Sequence, residues 1–185
     1  MKNWVILFVR AGAEGKLTRL LKEKLDADKY LPFLPIKEES RRSRGVIYKK
    51  HKLLFPGYIF IQTEIEANLI AASLKSALIG ITWHKDIYML LHYGDDKNDV
   101  ALREHERLHW ERLLDANFCV TGSVGFTVGN VVRIISGALV GMESLIKKIN
   151  RHKREAIIEL EMMGAPREVK VMLEIIEKIE AVPFF

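Results

Sequence analysis

Cysteine is almost missing from this sequence, with Cys119 the one thiol among 185 residues. An intramolecular disulfide is therefore impossible, which suits a reducing compartment. Long apolar runs are missing too: none approaches the roughly 20 residues that a membrane-spanning helix needs. The start, Met1-Lys2-Asn3-Trp4, passes straight into an alternating strand pattern without the layout of a signal peptide. A cytoplasmic location is expected. The compact catalytic signatures are absent as well: no G-x-S-x-G, no P-loop, no G-x-G-x-x-G after a strand. Cys119 has no obvious histidine partner in its neighbourhood to make it a nucleophile. The reading is of a non-enzyme without a cofactor.

What the sequence does have is apolar content of 49% and a net charge of +5. The first allows one or two domains with real cores, and the second favours a polyanionic partner. The most apolar stretch is Leu53-Leu54-Phe55-Pro56-Gly57-Tyr58-Ile59-Phe60-Ile61-Gln62. Pro56 cannot donate to a sheet ladder, so the strand is expected to begin at Tyr58 after the Pro-Gly break. Tyr58 and Phe60 then share one face and Ile59 and Ile61 the other, so both faces need covering, as in a central strand.

Upstream, Trp4 to Val9 reads as a strand, and Leu17, Leu20, Leu21 and Leu25 recur at helical spacing. From Lys37 to Lys52 lies a basic run opposed only by Glu38 and Glu39. It is expected to form a long hairpin arm, either solvated or tracking phosphates through Arg41, Arg42 and Arg44. Downstream, Leu69, Ile70, Leu74 and Leu78 mark a second helix, with short strands around Gly80 and Trp83. A third helix is expected from an N-cap at Asp99 to about Leu114. Small residues (Thr121, Gly122, Ser123, Gly125) then collect where periodicity fades, the composition of a linker. Beyond it, the runs Val131–Ile135, Ala156–Met163, Glu168–Leu173 and Ile175–Ile179 with glycine turns between them predict a small β-barrel. Its turn Lys147-Lys148-Ile149-Asn150-Arg151-His152-Lys153-Arg154 carries five lysines or arginines and no acid.

One pattern does match an enzyme signature. His105-Glu106-Arg107-Leu108-His109 is H-E-x-x-H, the spacing by which zinc peptidases put two histidines on one helix face. A third ligand is wanting, because Ala116 to Met142 contains no Asp, Glu or His. The segment is therefore read as a charged, solvated helix face, and no metal is expected.

Taken together, Trp4 through Glu14-Gly15-Lys16, the Phe55-Pro56-Gly57-Tyr58 strand entry, and Val128-Gly129-Asn130-Val131-Val132-Arg133-Ile134 followed by Ser136-Gly137 resemble the NusG family of transcription elongation factors. Among its subfamilies the chain is most similar to LoaP, a specialised antiterminator, on Asn150 to Arg154 and Glu161-Met162-Met163-Gly164. The family's turn usually reads Gly-Pro-Phe or Gly-Pro-Leu, where this chain has Gly137-Ala138-Leu139. The resemblance implies an α+β N-terminal domain, an antiparallel sheet flanked by helices, over residues 1–116. A linker over 117–126 and an all-β KOW domain, an SH3-like barrel, over 127–181 would follow.

It further implies binding of the RNA polymerase clamp helices through an apolar pocket including Phe8, Phe55, Tyr58, Phe60 and Trp83. A nascent RNA hairpin would be held through Lys147, Lys148, Arg151, His152, Lys153 and Arg154, the arginines reading guanine edges and the lysines supplying bulk affinity. DNA near the transcription bubble is the target expected for the arm, and a monomer is expected. The alternatives are a general NusG factor whose KOW domain binds protein, and an RNA-binding KOW protein that never meets polymerase.

Overall fold

The computed structural model describes residues 2–43, 46–79, 85–129 and 131–179. Trp83 and Arg44 lie outside the described residues. The chain divides into two compact units, each assembled from separate stretches. The first takes Met1–Pro35, Leu53–Leu108 and Met162–Ala165, the second Ile36–Lys52, His109–Glu161 and Pro166–Phe185.

In the first unit, strands β1 (Asn3–Val9), β2 (Tyr30–Phe33), β5 (Tyr58–Thr63) and β6 (Ile87–Leu90) form a sheet in the order β2-β5-β1-β6. The β5 strand is interior, as its two apolar faces require. Ile59 and Ile61 join Val5, Leu7 and Val9 in a core completed by Leu17 and Leu21 of helix α1 (Glu14–Lys24) and by Ile70 and Leu74 of helix α2 (Ala67–Ala77). On the opposite face Phe60 is buried against Trp4 and Phe33, with ring centroids 6.4 and 5.6 Å away.

The second unit contains a five-stranded sheet ordered β10-β11-β12-β8-β9, made of β8 (Ser123–Val128), β9 (Val131–Ser136), β10 (Ile146–Asn150), β11 (Glu155–Met162) and β12 (Ala165–Ile179). Where the sequence predicts two short runs after Glu168, one strand of 15 residues runs through. Its second half pairs in parallel with β8, from Leu173↔Ser123 to Ile179↔Val128, and a register shift between Ile175 and Glu177 absorbs the irregularity. A smaller sheet, β4-β3-β7, joins the hairpin β3 (Ile36–Ser43) and β4 (Val46–Leu53) to β7 (Cys119–Val120). The pairs Ile36↔Cys119 and Lys37↔Val120 bring the 36–52 excursion into the second unit, which one cut near residue 117 does not anticipate.

Two expectations of the sequence are altered. The stretch read as a linker holds β7 and the start of β8, and its glycines answer to close packing. A Cβ on Gly125 would lie 2.5 Å from the Arg133 carbonyl oxygen, so the site excludes any larger residue. Helix α3 (Glu104–Leu113) begins four residues later than an Asp99 cap would start it, and Asp99 instead accepts from the Arg103 guanidinium at 2.5 and 3.0 Å.

Candidate functional site

The entry to β5 is held by a buried acid. Glu14 is 2% exposed, and its two carboxylate oxygens accept from the backbone N–H groups of Gly57 and Gly12, each at 2.7 Å. Gly57 sits at φ +88°, a left-handed conformation natural to glycine, and its carbonyl accepts from Val9 N–H at 2.8 Å. Pro56-Gly57 is thereby fixed between α1 and β1, and the residues on either side of it, Phe55 and Tyr58, are aimed. Across the sheet, Arg10 pairs with the buried Asp86 at 2.6 Å and donates its backbone N–H to the Asp86 carbonyl at 2.7 Å. That anchors the start of β6 beside β1.

Between these anchors lies an aromatic cluster on one face of the first unit. The Phe8 ring is 5.3 Å from Tyr58 and 5.2 Å from Tyr88, and Phe55 meets Tyr58 edge-on at 6.5 Å. Phe8, Phe55 and Tyr58 are half-buried, while Tyr88 is 54% and Met89 41% exposed. Three of the five residues proposed from sequence therefore come together. Phe60 does not join them: alternation gives it the Tyr58 face, but Trp4 and Phe33 cover it completely. Tyr88 was not legible, since nothing local reveals that β6 pairs with β1 near Phe8.

In the second unit all six predicted basic residues of the β10–β11 turn are exposed. The turn closes through Arg154 N–H to the Arg151 carbonyl at 3.2 Å and Lys153 N–H to Asn150 Oδ1 at 3.0 Å. Arg154 takes φ +51° there. Lys147 pairs with Glu159 at 2.9 Å and Arg154 with Glu174 at 3.5 Å, while Arg151 donates to Thr127 Oγ1 at 2.9 Å. Both arginines nominated for specificity thus have protein partners. Among the described residues, Lys148, His152 and Lys153 carry no ion pair.

The base of the arm is largely neutralised. Lys49 pairs with Glu38 at 2.9 Å, and Lys52 and Lys37 pair with Glu39 at 2.7 and 3.5 Å. Burial opposes charge on Glu38, but the Gly122 N–H and Lys49 outweigh it and hold the carboxyl below its usual range. Arg41 and Arg42 lie on β3, and nothing about their side chains is described.

The H-E-x-x-H glutamate faces inward instead of solvent. Glu106 has no exposed surface and stands at the third position of α3. It accepts from the N–H of Arg103 at 3.0 Å, from Gly164 N–H at 2.7 Å and from the Tyr93 hydroxyl. Reaching back to the residue before the helix, it is the glutamate half of a capping box. Burial, then the Glu106 carboxylate, push the Tyr93 phenol above its ordinary range. Among the described residues no group of three potential metal ligands occurs. Cys119 is likewise enclosed, its thiol raised to about 11 chiefly by burial and then by Asp115 and Glu38.

The first unit thus carries a half-exposed aromatic cluster and the second an exposed basic turn. The family described as "Transcription termination factor nusG" matches residues 2–107, more than half of the chain, and the chain belongs to the NusG family. It is 21% identical over 189 residues to the transcription termination/antitermination protein NusG of Pseudomonas aeruginosa, covering 96% of this chain and 99% of that protein. The NusG of Pasteurella multocida is also 21% identical, over 188 residues, covering 96% and 95%. NusG proteins are transcription factors and not enzymes.

Proposed function

We propose that this chain is a specialised NusG-type elongation factor that binds RNA polymerase through the Phe8, Phe55, Tyr58 and Tyr88 face and promotes antitermination by holding structured nascent RNA at the β10–β11 turn. The observation that carries the reading is the aromatic cluster, which a core-forming sheet has no reason to leave partly open on one face. It suits the side of an apolar helix, and such contacts rest on a few anchors worth about 2 kcal/mol or more each. Residues 127–181, read as the KOW domain, contribute the RNA contact, and the LoaP-like turn residues Asn150 to Arg154 support it.

The test is Tyr58→Ala in the full chain, with circular dichroism and a pull-down of RNA polymerase. A folded variant that no longer retains polymerase supports the docking face, whereas undiminished retention removes it. A second reading, a general factor whose KOW domain takes a protein partner, is favoured by Val131, Ile135, Val140 and Ile176, each at least 50% exposed on the second unit. Polymerase binding together with indifference to RNA would favour it.

A further inference from the structure

The basic turn borders a cleft that contains an acid, and this is unexpected in a surface meant only for phosphates. The cleft, of about 180 Å³, is lined by Lys148, Asn150, Lys153, Glu155, Ile157 and Lys170. Its walls follow from strand geometry. Pairing sets Asn150 opposite Glu155 and Lys148 opposite Ile157. Ala156 and Ile158 are buried inward, so Glu155 and Ile157 face out. Val169 and Val171 are buried on β12, which turns Lys170 to the same outer side.

Each wall has a chemistry. Ile157 is an apolar, half-buried floor. Asn150 Oδ1 is occupied by Lys153 N–H at 3.0 Å, leaving its amide N–H groups to donate. Lys148 and Lys153 are unpaired cations among the described residues. A space of about 150 Å³ accepts a benzene ring, so this one is suited to a single flat ring system and not to a base pair.

We propose that this cleft takes one unpaired guanine base of a structured RNA, with Glu155 as the residue that reads it. A carboxylate offers two acceptors and no donor. Guanine alone among the four bases presents two adjacent donors, N1–H and the N2 amino group, beside the O6 acceptor. Glu155 accepts from the two donors and a lysine ammonium donates to O6, while Ile157 meets the flat face of the base. A paired guanine has that edge occupied, which restricts the site to bulged or loop bases, where RNA is most often read. Towards phosphate alone Glu155 is repulsive. Among three lysines it gives the cleft acceptors as well as donors, the mixed set that a base edge presents and a phosphate does not.

The inference rests on the reading of the turn as an RNA contact, and the experiment separates the two. The full chain is titrated against labelled RNA hairpins of one stem sequence carrying a single bulged guanosine, inosine or adenosine, or no bulge, at two salt concentrations. The expected result is binding about tenfold tighter to the guanosine bulge than to the adenosine bulge. Inosine, lacking the N2 amine, should fall between them, and the ratio should survive higher salt. Glu155→Gln, which turns one acceptor into a donor, should bring guanosine and adenosine to parity. Uniformly tighter binding by Glu155→Gln with an unchanged preference would mean that the acid acts only as a charge, and would overturn the proposal. Equal binding of all hairpins by the unaltered chain, weakened throughout by Lys148→Ala with Lys153→Ala, overturns the base reading and leaves the RNA contact standing. Failure to bind any hairpin overturns both.

Discussion

A glutamate without exposed surface must find donors or give up its charge, and Glu106 finds three. The spacing of His105 and His109 was plain in the sequence, but the direction of Glu106 was not. It depends on Tyr93 in the preceding loop and on Gly164, 58 positions away. An H-E-x-x-H segment with its glutamate spent on a helix cap has no general base to offer. Glu106→Ala should cost about 3 kcal/mol by urea denaturation, because backbone N–H groups lose their acceptor in a dry site. Purified protein should carry no stoichiometric zinc before or after His105→Ala. A cost below about 0.5 kcal/mol would mean that water already serves these donors. By contrast, Glu14, another buried acid, lies in the Glu14-Gly15-Lys16 segment that marks the resemblance; its bond to Gly57 explains why those residues and Pro56-Gly57 belong together.

At the level of elements, the regular ones were legible. The unbroken apolar runs Trp4 to Val9 and Tyr58 to Ile61 mark strands covered on both faces, and the leucine spacing in α1 and α2 states which helix face is apolar. The 117–126 stretch was not, because glycine means freedom in a turn and closeness in a sheet, and composition does not separate the two. Gly137 and Gly12 make the comparison, both at φ +91°. A Cβ on Gly12 would meet nothing within 4 Å, whereas on Gly137 it would lie 2.2 Å from the Gly122 carbonyl oxygen and 2.5 Å from Ser123 Cα. Gly12→Ala should therefore cost about 1 kcal/mol, the strain of a left-handed residue. Gly137→Ala should cost about 3 kcal/mol or more, since backbone must move as well. Equal losses of stability in the two variants would show that the β8–β9 region yields more readily than its packing implies.

Over the whole molecule the net charge of +5 is less informative than its distribution. Lys37, Lys49 and Lys52 are balanced by Glu38 and Glu39, so the arm presents less free charge than its sequence promises. The cations left for a polyanion include Lys148 and Lys153. Replacing both by alanine should lower the slope of log affinity for hairpin RNA against log salt by about one for each lysine. The same change at Lys49 and Lys52 should leave the slope nearly unaltered, and the reverse ranking would shift the phosphate contact to the arm.

The pairing of β3 with β7 has a consequence for synthesis. A ribosome releases the chain from its N-terminus, so Ile36 and Lys37 emerge long before Cys119 and Val120 exist to pair with them. At about 5–20 residues per second the delay lasts several seconds. Through that interval the hairpin edge has no partner, the condition in which strands of neighbouring nascent chains join. Lysine and arginine crowded on an open edge discourage such joining. Charge-neutral replacements at exposed positions of this hairpin should therefore raise association of nascent chains during translation, read as co-sedimentation of stalled ribosome complexes.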